Sequence, residues 1–119
     1  AAQMSSEFSG LAEEYGEQLG QQMEAWSQSL REALKANPSA SSKDRRTLNE
    51  AVTQLEAQQQ NLEEADLQAL AESTVVAAKT QLQLGELGEE FAAYKAEWQQ
   101  RLAEIESEIE QFMQQLEEG

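Results

Sequence analysis

At 119 residues with 39% hydrophobic content, the chain has room for a single small domain with a modest core. Its 23 acidic residues against 8 basic ones give a formal charge of −15, which repels phosphate backbones and anionic lipid and so argues against direct nucleic-acid binding. Cysteine and histidine are both absent, which removes disulfides, thiolate nucleophiles, the commonest general base and the Glu-x-x-His ligands of helical di-iron bundles.

Proline occurs once, at Pro38, while Ala, Gln, Glu and Leu fill most positions and lose little side-chain freedom in a helix. No alternating run surrounds Val75-Val76, and no apolar run approaches the roughly 20 residues of a membrane span. The chain therefore reads as one soluble all-α domain over residues 1–119.

The first helix is expected over about 5–36, started by Ser5 or Ser6. Phe8, Leu11, Ala12, Tyr15, Leu19, Met23, Trp26, Leu30, Ala33 and Leu34 recur at steps of one, three or four and fall on one side of it. Gly10, Gly16 and Gly20 lie inside this pattern and read as tolerated exposed positions, each costing up to about 1 kcal/mol relative to alanine. The loop over 37–43 is marked by Asn37-Pro38-Ser39-Ala40-Ser41-Ser42, because proline disfavours helical geometry at Asn37 and the serines offer competing local hydrogen bonds. Arg31, Lys35, Lys43, Arg45 and Arg46, five of the eight cations, cluster around this loop. They form a candidate basic tip for an acidic partner, although Arg31 and Lys35 also suit the carbonyl end of the first helix.

The second helix is expected over about 44–72, capped by Ser42 or Asp44, or by Thr47 with Glu50 in capping-box spacing. Its stripe is Leu48, Val52, Leu55, Leu62, Ala65 and Ala69, with Gln58-Gln59-Gln60 as solvated surface and Gln59 on the core side of the heptad frame. Two places compete for the next break, Ser73-Thr74-Val75-Val76 and Gly85 to Gly88. The first is preferred because Leu84 and Leu87 stay in phase with the stripe that follows, which places the last helix over about 74–118. That stripe, Leu84, Leu87, Phe91, Tyr94, Trp98, Leu102, Ile105, Ile109, Phe112 and Leu116, averages near the coiled-coil period and demands a partner helix.

An antiparallel three-helix bundle or coiled coil with long helices buries all three stripes in one chain. Trp26 in the first helix and Trp98 in the last then sit at comparable heights. This two-tryptophan pattern resembles the spectrin repeat in outline, a resemblance that implies a left-handed three-helix coiled coil. The alternative is a helical hairpin that dimerises through its final 30 residues.

Gly85-Glu86-Leu87-Gly88 lacks the spacing and the lysine of a phosphate loop, so no nucleotide or other cofactor is expected. Glu104, Glu106, Glu108 and Glu110 alternate with Ile105 and Ile109 and read as a solvated coiled-coil flank rather than a divalent-cation site; Glu63-Glu64-Asp66 and Glu89-Glu90 read likewise. No catalytic residue, metal ligand or small-molecule substrate follows from the sequence. The candidate interaction surface is Leu87, Phe91, Tyr94, Trp98, Leu102, Ile105, Ile109, Phe112, Met113 and Leu116; the aromatics on the stripes and Met113 read first as core packing, and the alternative is that Phe112, Met113 and Leu116 extend beyond the bundle as an apolar strip.

The expected function is that of a non-enzymatic adaptor, scaffold or chaperone-like accessory protein, partnered by another protein or by a second copy of itself. Two alternatives are an exported helical protein, similar in coarse shape to the WxG-type secreted hairpins though its turn carries Asn37-Pro38 instead of Trp-x-Gly, and an acidic nucleic-acid mimic that occupies a basic groove. Ala1-Ala2-Gln3 fits the small residues left by signal-peptide cleavage, so the compartment is either cytoplasmic or, after such cleavage, periplasmic or secreted.

Overall fold

The computed structural model describes residues 2–64 and 66–118, with side chains from residue 10 onward. These residues form an all-α bundle of four helices, α1 (Ala2–Ala36), α2 (Ser42–Asn61), α3 (Leu67–Leu84) and α4 (Ala92–Glu118), with short 3-10 turns at Leu62–Glu64 and Glu89–Phe91. The all-α bundle is as expected, but it has four helices rather than three.

Helix α1 passes through Ser5 and Ser6 without a boundary, so neither starts it. Phe8 and Ala65, both assigned to stripes, lie outside the described side chains. Pro38 ends α1 as expected, and Ser41 rather than Ser42, Asp44 or Thr47 caps α2: its Oγ accepts from the Asp44 amide at 3.1 Å. Asp44 is instead buried, and its Oδ2 accepts from the Gly88 amide at 3.3 Å, which ties the start of α2 to the turn before α4.

The break expected at Ser73 does not exist. Ser73 lies in mid-α3, fully buried, with its hydroxyl donating to the Ala69 carbonyl at 3.1 Å and accepting from Gln58 Nε2 at the same distance. A serine that bonds back one turn remains inside a helix, and here it meets a polar partner across the α2–α3 contact. The real breaks are at Leu62–Asp66, where the Asp66 side chain accepts from the Ala69 amide at 2.7 Å and caps α3, and at Gly85–Gly88. Lys95 Nζ reaches back from α4 to the carbonyls of Leu87 (2.6 Å) and Gly85 (3.4 Å), satisfying groups that the end of α3 leaves open.

Successive helices run in alternating directions, with α1 against α2 and α4, and α3 against α2 and α4. Cross-helix contacts fix their relative heights. Trp98 of α4 bonds Ser29 of α1, Phe112 meets Tyr15, and Gln58 of α2 bonds Ala69 and Ser73 of α3. The two tryptophans are both completely buried, and the Ser29 bond puts Trp98 within one turn of Trp26. The molecule measures 57 × 21 × 17 Å, the long dimension set by the 35 residues of α1 at about 1.5 Å each. Because α2 has only 20 residues and α3 only 18, the α2–α3 turn comes level with Gly16. Beyond that turn the start of α1 and the end of α4 continue as a pair.

The glycines of α1 differ in role. Gly10 is exposed with open space around it, as expected, whereas Gly16 is buried and Gly20 faces Gln59, whose Cγ would lie 3.9 Å from an added Cβ.

Candidate functional site

The stripe from Leu84 to Leu116 is internal. Leu84, Leu87, Phe91, Trp98, Ile105 and Phe112 are buried, and Tyr94, Leu102, Ile109 and Leu116 pack partly buried against the same core. Of the candidate interaction surface, Met113 alone is exposed, at 48%. The expectation of a free apolar strip at Phe112, Met113 and Leu116 is therefore corrected, because α1 is long enough to cover it: Phe112 packs on Tyr15 with ring centroids 5.4 Å apart, and Gln115 Nε2 donates to the Tyr15 hydroxyl at 3.2 Å.

The structure does bring the basic tip together. Arg31, Lys35, Lys43, Arg45 and Arg46 are all exposed around the α1–α2 turn, with Arg31 paired to Glu56 and Lys35 in the last turn of α1, where a cation complements the helix dipole. Arg45 and Arg46 border a shallow groove with Ser42, Asn49, Glu50 and Thr53.

Mapped onto the bundle, the charges separate by end. Residues 2–24, 56–64, 66–72 and 101–118, which share one end, hold sixteen carboxylates and a single cation, Arg101. Residues 25–55 and 73–100, which make the other end, hold seven of each sign. The whole net charge of the protein thus lies in one half of its length.

Within the acidic half, Glu108 of α4 faces Gln22 of α1. Burial pushes its carboxyl above the usual 4.5, the Gln22 side chain pulls the other way, and repulsion from Glu104 adds to the rise. A raised folded-state value means that the fold prefers the protonated form, so this contribution is present below the unfolded pKa and is lost as pH climbs through the raised one. Glu108→Gln is expected to raise the thermal midpoint at pH 7 by about 1–3 °C and to leave it unchanged at pH 4. Circular-dichroism melts at the two pH values check this, and a lower midpoint at pH 7 would contradict it.

The feature that the sequence reading missed is the outer face of α3. This helix carries only two charges, Glu72 and Lys79, in 18 residues. One side buries Ala69, Leu70, Ser73, Ala77, Thr80 and Leu84. On another side Leu67, Ala71, Val75, Ala78 and Leu82 follow at steps of four, four, three and four, forming a second row directed away from the core. The large members of this row are open to solvent, with Leu67 at 46%, Val75 at 67% and Leu82 at 76% exposure. A helix that covers itself on one side and remains apolar on another presents a surface that its own bundle does not use. In the sequence this face is one of two interleaved stripes, and a break at Ser73-Thr74-Val75-Val76 would cut both in two.

The described residues contain no cluster of three or more His, Cys, Asp or Glu side chains able to hold a metal ion, and no described helix is long and apolar enough to cross a membrane. No protein-family model, curated protein or solved structure matches the chain.

Proposed function

We propose that this chain is a non-enzymatic helical interaction module that binds protein through the outer face of α3. The observation that supports this reading is the exposed row Leu67, Ala71, Val75, Ala78 and Leu82, carried on a helix whose opposite side already anchors it in the core. A rigid bundle presenting an apolar helix face suits an adaptor or scaffold, since a partner helix buries the row without reorganising the module.

A photo-crosslinking amino acid placed at Val75 in the living cell tests it. Adducts of defined mass at Val75, absent from the same probe at the exposed Gln99 of α4 and abolished by Leu82→Glu, are the expected result. Equal labelling at both positions, or none at Val75, would remove the reading.

A second reading is supported by the separation of charge. The sixteen carboxylates at one end make an acidic surface suited to a basic partner, including the groove of a nucleic-acid-binding protein. Such binding weakens steeply as salt rises, whereas binding through the α3 row depends on salt only weakly.

A further inference from the structure

We infer that the partner of the α3 outer face is a second copy of this chain, docked antiparallel about a two-fold axis at Val75. The inference rests on reading that face as an interaction surface and names what covers it.

The row matches itself in both size and charge in one orientation. Two antiparallel copies of α3 with Val75 opposite Val75 place Leu67 opposite Leu82 and Ala71 opposite Ala78, so that each large side chain meets a large one and the small ones let the helices approach. At about 100° per residue, Glu72 and Lys79 lie on the same edge of this row. In an antiparallel pair, edges of the same kind face each other, so Glu72 of each copy comes beside Lys79 of the other, giving two ion pairs from one register. A parallel pair also sets large against large, but it faces unlike edges together and brings Glu72 level with Glu72 rather than Lys79, so it gives no ion pair.

The distribution of charge over the whole molecule selects the same orientation. Helix α3 begins in the acidic half and ends in the balanced half. Antiparallel docking therefore sets each acidic end beside the other copy's balanced end, whereas parallel docking would place all thirty-two carboxylates of the two acidic ends side by side. The row spans about 22 Å on a helix about 10 Å across, well short of the roughly 800 Å² per partner of a standard interface. The dimer is accordingly of the weak, transient kind.

Cysteine crosslinking tests the register directly, because the chain has no cysteine of its own. Val75→Cys at high micromolar concentration under mild oxidation is expected to form a disulfide-linked dimer, many times faster than Gln99→Cys. Leu82→Cys alone is not expected to link, but does so when mixed with Leu67→Cys. Glu72→Lys and Lys79→Glu, introduced singly into the Val75→Cys chain, are each expected to slow linking by about tenfold, and their combination to restore it, since both pairs are then rebuilt with reversed sign. All six substituted sites are exposed, so these variants keep the core.

Self-linking of Leu82→Cys as fast as Val75→Cys would mean a parallel pair and would overturn the inference, as would failure of Val75→Cys to exceed the Gln99→Cys control. If Val75→Cys fails to self-link while the photo-crosslinker at Val75 still captures a different protein in the cell, the second copy is excluded and the interaction module stands. If both fail, both readings fall.

Discussion

Trp98→Ala is expected to lower the stability of the bundle by about 3–5 kcal/mol, measured by urea unfolding followed by circular dichroism. Trp98 is completely buried, stacked on Tyr94 with centroids 5.7 Å apart, and its Nε1 donates to Ser29 Oγ at 3.0 Å while that hydroxyl donates to Glu97 at 2.9 Å. Alanine removes the packing and leaves a cavity where α1 and α4 meet, in a chain whose total stability is on the order of 6–18 kcal/mol for its size. Two milder variants separate packing from hydrogen bonding. Trp98→Phe loses the indole N–H that Ser29 accepts, whereas Trp26→Phe removes a buried N–H with no partner among the described residues. Trp98→Phe should therefore cost more than Trp26→Phe, with a difference of about 1 kcal/mol. A loss below about 1 kcal/mol for Trp98→Ala would mean that the two long helices are not joined at this level.

Phe112→Ala removes a comparable amount of packing, about 3–5 kcal/mol at the site, but should act differently. Phe112 is buried against Tyr15 at the level of the α2–α3 turn, where the ends of α1 and α4 leave the four-helix section and continue as a pair. A pair of helices can open there without disturbing the four-helix section, so the loss appears as local unfolding. Amide hydrogen exchange should show protection lost over residues 2–14 and 110–118 and retained through α2, α3 and the Trp98 region. The global urea midpoint should move less than for Trp98→Ala. Uniform loss of protection across all four helices would show instead that the extension and the bundle are one cooperative unit.

The legible parts of this fold were those written in long, regular stripes. Leu19, Met23, Trp26 and Leu30 on α1 and Trp98, Ile105 and Phe112 on α4 all take the core positions that their spacing predicts. Pro38 likewise punctuates the chain where expected. The break at Leu62–Asp66 was hidden because it contains neither proline nor glycine: Leu62 continues the apolar spacing into the turn, and the cap is supplied by a single Asp66. Ser73 misled in the opposite direction, since a buried hydroxyl bonded to Ala69 and Gln58 looks in sequence like the polar start of a loop. The glutamine that crosses between helices is Gln58 and not Gln59: Gln58 follows the buried Leu48, Ala51 and Leu55 at steps of three, four and three and bonds Ala69 and Ser73, whereas Gln59 lies against Gly20. The candidate site was missed for the same reason. Without α3 as a separate helix there is no outer face to see, and the strong last stripe, which looked available, was covered by α1.

The separation of charge along the 57 Å length gives the molecule a direction as well as a charge. In a nonuniform field, or within a Debye length of a cationic surface, it experiences a torque before it makes contact, because one end is attracted and the other is almost indifferent. Near such a surface, the orientation of lowest electrostatic energy puts the acidic end toward it and the Pro38 turn away from it.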